Sequence, residues 1–216
     1  MKVLLRALVV LASLSPLACS AAESPKYQLG THYKMVREPQ PTANPAKIEV
    51  MEVFAYSCPH CFQFDPILQK WLEKKPADVE FVRLPHTLGA PAGTLRNKAF
   101  YAAGMLGVTE KFHRALFGAI HGEQKPMASA EDLRDLFVKH TGVKAEDFDG
   151  AFSSFAADAG YRRGEAAIQA MGITSVPTMV VEGKYAVSPA GNSGFPGMLE
   201  VVDWLVGQAR KERAKH

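Results

Sequence analysis

Cys58-Pro59-His60-Cys61 limits this chain more than any other stretch. Ahead of it, Ile48-Glu49-Val50-Met51-Glu52-Val53-Phe54 reads as a buried strand. Behind it the apolar spacing through Phe62, Phe64, Ile67, Leu68 and Trp71 predicts a helix from Cys58 to about Lys74, with Pro66 inside it. Residues three apart share a helix face, so both sulfurs meet on the first turn. That turn offers unpaired backbone N–H groups and the positive end of the helix dipole, and both favour a thiolate over a thiol. Pro59 suits a first-turn position, where a missing N–H has no intrahelical bond to lose. His60 adds a donor or a partial positive charge beside the sulfur. The stretch reads as a redox dithiol and the rest of the chain as its mounting.

The cysteine count supports that reading. Of three cysteines, Cys19 falls in an N-terminal leader, which leaves Cys58 and Cys61. A secreted protein held together by disulfides carries four or more cysteines. A structural zinc site needs four ligands, and there is no second CxxC or paired histidine to complete one. A staple closing so short a loop would constrain the unfolded chain little. No metal is expected, and no cofactor beyond the Cys58–Cys61 pair itself.

Residues 1–22 have the pattern of a signal peptide. Lys2 and Arg6 form the basic start, Ala7 to Leu17 the apolar run, and Ser20 and Ala22 the small residues for cleavage before Glu23. The run is shorter than the roughly 20 residues of a membrane-spanning helix. Leu17-Ala18-Cys19-Ser20 also resembles a bacterial lipoprotein box, with Pro16 where leucine is usual, so a lipid anchor at Cys19 is the alternative. Without Lys2 and Arg6 the 25 basic residues become 23 against 22 acidic ones, a balance that predicts no attraction to nucleic acid.

Residues 23–46 form a proline-rich lead-in with one short strand near Tyr33 to Val36, too short for a dimerisation domain. Glu52 shares strand parity with Ile48, Val50 and Phe54, which points it into a packed layer unless the strand lies at an edge. A buried carboxylate is costly unless paired or protonated, so Glu52 is a candidate proton relay for the dithiol. Val79 to Leu84 predicts a second strand. Helices follow over Ala92–Leu106, Thr109–His121, Ser129–His140 and Ala145–Ala159, with a capping box from Ser129 to Asp132. His86, His113, His121 and His140 read as helix-surface or capping residues rather than ligands. Tyr161–Met171 predicts another helix, Pro177 opens a strand to Val181, and Glu182-Gly183-Lys184 turns into Tyr185–Val187. A loop over Ser188–Gly197 leads to a final helix from Met198 to about Lys211. In sum, residues 23–85 and 165–216 read as two parts of one α/β domain, and 86–164 as a helical subdomain inserted between them.

Strand, Cys58-Pro59-His60-Cys61, helix, strand, helical insertion, Val176-Pro177-Thr178, hairpin and final helix together resemble the thioredoxin superfamily. Within it the chain resembles the DsbA-type periplasmic thiol oxidases of Gram-negative bacteria. The resemblance implies a thioredoxin fold with an inserted helical subdomain. It implies Cys58 as the exposed nucleophile, Cys61 as its buried partner, and a cis Pro177 packed against the disulfide. Val176 would offer backbone bonds to an extended substrate beside Thr178, and Glu52 would be the family's buried acid. Where the family's lysine partner is sought, after the second strand, Arg83-Leu84-Pro85-His86-Thr87 stands instead, which leaves open how Glu52 is neutralised. The implied activity is donation of the Cys58–Cys61 disulfide to reduced proteins folding in the periplasm. The implied partners are those proteins and a DsbB-like membrane quinone reductase, with the chain itself a monomer. The rival readings are a disulfide isomerase or reductase and, from another class, a chaperone-like peptide binder.

Overall fold

The strand Ile48–Phe54 has no polar face, because all seven of its residues are buried. Such a strand needs a pairing partner on both edges and a packed layer on both sides. The structure, a computed structural model describing residues 26–214, supplies all four. The leader expected over residues 1–22, with Cys19, lies outside the described residues.

Five strands, β1 (Lys34–Met35), β2 (Ile48–Phe54), β3 (Val79–Pro85), β4 (Thr178–Val181) and β5 (Tyr185–Val187), form one sheet in the order β1-β5-β4-β2-β3. β3 runs parallel to β2 and the other pairings are antiparallel. Around them lie α1 (Pro59–Leu72), α2 (Pro91–Met105), α3 (Thr109–Phe117), α4 (Ala130–Thr141), α5 (Ala145–Phe152), α6 (Phe155–Met171) and α7 (Gly194–Arg213). One face of the sheet packs Ile48, Val50 and Met179 against Phe64 and Leu68 of α1 and Val202 and Leu205 of α7. The other packs Met51, Val53 and Val180 against Ile168 and Met171 of α6. A third core joins Phe54, Tyr56, Cys58 and Cys61 to Phe112, Phe117, Leu133, Phe137 and Phe148 of the helical region. The dithiol therefore sits on the seam between sheet and helices.

Local chemistry sets most boundaries. At the start of α4, Ser129 Oγ accepts the Asp132 N–H at 3.0 Å and Asp132 Oδ2 accepts the Ser129 N–H at 3.3 Å, the expected reciprocal cap. Four expectations are corrected. The helix expected over Ala145–Ala159 stops at Phe152, because Ser154 leaves the helix and accepts the Ala157 N–H at 3.1 Å to start α6. Helix α6 thus begins before Tyr161 and runs unbroken past residue 164, where the insertion was expected to end. The helix expected over Thr109–His121 ends at Phe117 and widens into a π-turn at Gly118–Gly122. Finally, α7 starts at Gly194 rather than Met198, with Pro196 in the first turn, where its missing N–H costs nothing. Gly160 and Gly164 of α6 let the ring of Tyr101 from α2 lie against the helix backbone.

Candidate active site

Cys58 caps helix α1 with its own side chain. Its Sγ accepts the backbone N–H of Cys61 at 3.4 Å, and its thiol donates to the Val176 carbonyl at 3.6 Å. Pro59 occupies the first turn as expected. Both sulfurs are free thiols in this structure. Cys58 is 8% exposed and Cys61 0%, so the family's exposed nucleophile is here only a slot, yet it is the one of the two sulfurs that is not fully sealed. Burial pushes the Cys61 thiol far above the usual range, and the charges of Cys58 and Glu52 push the same way. As a thiol, Cys61 is inert. Forced out of a disulfide, it needs a proton.

The Val176–Pro177 peptide is cis. Together with His60, Pro189, Ala190 and Phe195 it lines an apolar groove of about 360 Å³ beside Cys58. His60 is exposed and forms part of that wall, and the donor seen on Cys58 is the Cys61 amide. Thr178, expected at the substrate, is buried, and its hydroxyl donates to the Ser175 carbonyl at 2.8 Å. Its side chain shapes the loop under the groove.

Beneath the dithiol lies a buried charge cluster. Register pairs Glu52 of β2 with Arg83 of β3, and Arg83 Nε donates to Glu52 Oε2 at 3.0 Å. This arginine answers the question left by the absent lysine. Arg83 also reaches Asp65 Oδ1 of α1 at 3.5 Å and Glu110 Oε1 of α3. Burial, with the Asp65 and Glu110 charges adding to it, outweighs the pull of Arg83 and raises the Glu52 carboxyl to about 7. Among the described residues its other oxygen, Oε1, is buried with no hydrogen-bond partner. Burial works against ionising Asp65, but the His113 hydrogen bond and the Arg83 charge outweigh it and hold the carboxyl below the usual range.

His113 corrects the expectation of a surface histidine, since it is fully buried. Its Nε2 lies 3.3 Å from Asp65 Oδ1, and its Nδ1 lies 3.1 Å from the Tyr56 hydroxyl. A carboxylate only accepts, so Nε2 carries the proton and Nδ1 accepts from Tyr56. Burial holds the imidazole below its usual range and the Arg83 charge adds to this, against the Asp65 hydrogen bond. His121 is half-buried: Nε2 donates to the Tyr56 carbonyl at 2.8 Å and the ring stacks on Phe62. His86 pairs with Glu165 at 3.0 Å, and His140 stays exposed in the last turn of α4. Asp65, Arg83, Glu110, His113 and His121 are the site residues that sequence reasoning missed.

Residues 83–198 match the DSBA-like thioredoxin domain family. The chain is 38% identical over 211 residues to the thiol:disulfide interchange protein DsbA of Pseudomonas aeruginosa, covering 98% of this chain and 96% of that one. To DsbA of Burkholderia cepacia it is 34% identical over 185 residues, 85% of this chain and 86% of the relative. The crystal structure of Pseudomonas aeruginosa DsbA superposes with a TM-score of 0.80 at 37% identity, covering 88% of this chain and 97% of that chain. A Proteus mirabilis DsbA bearing a non-covalently bound peptide gives a TM-score of 0.72 at 30% identity, over 83% of this chain and 98% of that one. With a thioredoxin-fold sheet, a capped dithiol and a full-length match to proteins of one activity, the chain belongs to the DsbA family of protein thiol:disulfide oxidoreductases.

Proposed function

We propose that the protein, exported to the periplasm and acting as a monomer, donates its Cys58–Cys61 disulfide to reduced secreted proteins. The observation that carries this reading is the asymmetry of the sulfurs: Cys58 is reachable and bonded by the Cys61 amide, while Cys61 is sealed. A substrate thiolate attacks Cys58 Sγ of the disulfide. The Cys58–Cys61 bond breaks, and Cys61 departs with the electron pair and takes a proton. The substrate's second thiolate then attacks its own sulfur in the mixed disulfide, closing the substrate disulfide and expelling Cys58 as a thiolate. Two electrons have moved from substrate to protein.

Each site residue has a part in that sequence. The N–H at Cys58 Sγ and the helix terminus stabilise the departing thiolate. Glu52 supplies the proton to Cys61. The groove along His60 and Pro177 receives the extended substrate, with Val176 offering backbone bonds and Thr178 holding the loop. No cofactor takes part, and a DsbB-like membrane quinone reductase restores the disulfide. The signal is cleaved before Glu23, or a lipid stays at Cys19; the mass of the mature N-terminus separates the two.

The test is a stoichiometric mixture of oxidised protein with a reduced, unfolded secreted protein carrying two cysteines. Disulfide should appear in the substrate as it disappears from Cys58–Cys61, and equilibration with glutathione should show a strongly oxidising couple. A potential near that of thioredoxin, about −270 mV, would overturn the oxidase direction in favour of a reductase. Binding that survives Cys58→Ser without any transfer would favour the peptide-binding alternative.

A further inference from the structure

Three carboxylates compete for the Arg83 guanidinium. Nε serves Glu52, Nη2 serves Asp65 and Nη1 serves Glu110. Glu52 and Asp65 sit on the strand and helix that flank the dithiol, whereas Glu110 comes from α3. Their side chains are 0%, 11% and 50% exposed respectively, so Glu110 is the one that reaches water. The Glu110 carboxylate also accepts from Gln69 Nε2 at 3.4 Å. One arginine does not neutralise three acids, and the proton settles on the most buried. That acid is Glu52, whose Oε1 is the oxygen without a partner.

We infer that Glu110 is a positioning residue for the proton step: by holding Arg83 outward it keeps a proton on Glu52, where Cys61 can draw on it. The inference rests on the reading of Glu52 as that donor. When the substrate thiolate bonds to Cys58 and the disulfide breaks, the electron pair goes to Cys61 Sγ. The proton passes from Glu52 to that sulfur, and the new Glu52 carboxylate remains beside Arg83. No further oxidant or reductant is needed.

The groups facing Glu52 are Arg83 from β3, Asp65 and Cys61 from α1, Glu110 and His113 from α3, and Tyr56 from the loop after β2. Arg83 is the one cation among them. His113 is neutral and commits its proton to Asp65. Deleting the Glu110 charge removes a repulsion from Glu52 and releases Arg83 to the two remaining acids. Both effects favour the Glu52 carboxylate, so Glu52 should hold its proton less tightly.

The experiment follows the pH profile of the first step, reaction of oxidised protein with a small dithiol peptide, in Glu110→Gln and Glu52→Gln. Glutamine at 110 keeps an acceptor for Arg83 and loses only the charge, at a half-exposed position where the fold is tolerant. Glu110→Gln should lower the midpoint assigned to Glu52 by about half a pH unit at low salt, and by less at high salt. Glu52→Gln should abolish that midpoint. If Glu52→Gln abolishes it while Glu110→Gln leaves it in place or raises it, the inference fails and the Glu52 reading stands. If the midpoint survives Glu52→Gln, the Glu52 reading falls and the inference with it.

Discussion

His121 Nε2 donates to the carbonyl oxygen of Tyr56 at 2.8 Å, from a π-turn onto the loop that leads to Cys58. The same ring stacks on Phe62, the residue after Cys61, with centroids 5.0 Å apart and planes 19° apart. One histidine thus grips the dithiol turn on both sides. The π-turn makes this geometry available by widening the helix after Phe117, so that His121 faces the loop. Together with the Tyr56–His113 bond, it makes the helical region a brace for the active-site loop as well as a cover.

His121→Ala should therefore leave a half-buried carbonyl without its donor and Phe62 without its stacking partner. The expected loss is about 1–2 kcal/mol of stability, with slower transfer from Cys58 because its loop is less fixed. His121→Gln restores a donor but no ring and should fall between the two. Urea melts and disulfide-transfer rates on the three proteins check this; equal rates would confine His121 to stability.

Cys61→Ala should accumulate mixed disulfides on Cys58. Cys61 is sealed behind Cys58, so it never meets substrate, and its service is to attack the Cys58 sulfur from within. Non-reducing gels with a substrate whose single cysteine is linked to glutathione would show the adducts in Cys61→Ala: the Cys58 thiolate attacks the substrate sulfur, glutathione leaves as its thiolate, and no Cys61 remains to release the mixed disulfide. Adducts on Cys61 in a Cys58→Ala protein would reverse the roles.

The strand, dithiol and helix were legible because apolar periodicity and a CxxC at a strand end leave few alternatives. Glu52 was legible as a buried acid from its strand parity. Arg83 was not, because an arginine in an alternating strand reads as a solvent-facing residue. Only the parallel register of β2 and β3 sets it opposite Glu52. His113 was missed for a related reason. Its partners Tyr56 and Asp65 come from other elements, and a histidine on an amphipathic helix does not reveal them. The break at Ser153-Ser154 was in view, but the alanine-rich sequence around it masked the cap.

Gly160→Ala should destabilise the fold although alanine is the better helix former. A Cβ there would stand 2.8 Å from the Cδ1 of Tyr101, a half-buried ring with little room to withdraw. Overpacking of this kind costs about 1–3 kcal/mol, against a gain of about 1 kcal/mol from helix propensity. A net loss in urea melts is expected, and Tyr101→Leu in the same chain should relieve it.

Arg83→Met should cost about 3–5 kcal/mol at pH 8, since it strands buried Glu52 and leaves Asp65 to His113 and Gln69. The loss should shrink on acidification, because Glu52 escapes the uncompensated charge by taking a proton. Adding Glu52→Gln should recover part of it at pH 8. A loss that does not vary with pH would mean that the arginine acts through packing alone.

Glu52→Gln alone provides the sharpest test, because linkage fixes its sign. Burial raises the folded Glu52 carboxyl from an ordinary 4.5 to about 7. Between those values the folded acid is protonated and the unfolded one ionised, so folding takes up a proton. The stabilisation is fully present below about 4.5 and is lost as pH rises through about 7. Glutamine does not titrate, so this dependence disappears from the variant. Its amide must still find a place where Oε1 lacks a partner, but that cost does not change with pH and cancels between conditions. Asp65, held low, contributes the opposite slope, and both proteins retain it. Relative to the parent, Glu52→Gln should therefore gain stability between pH 4 and pH 8. The gap from 4.5 to about 7 corresponds to about 3 kcal/mol across the full window. Paired urea melts along that range measure the difference directly. A flat difference would show that Glu52 stays ionised in the fold, and would remove it as the proton source for Cys61.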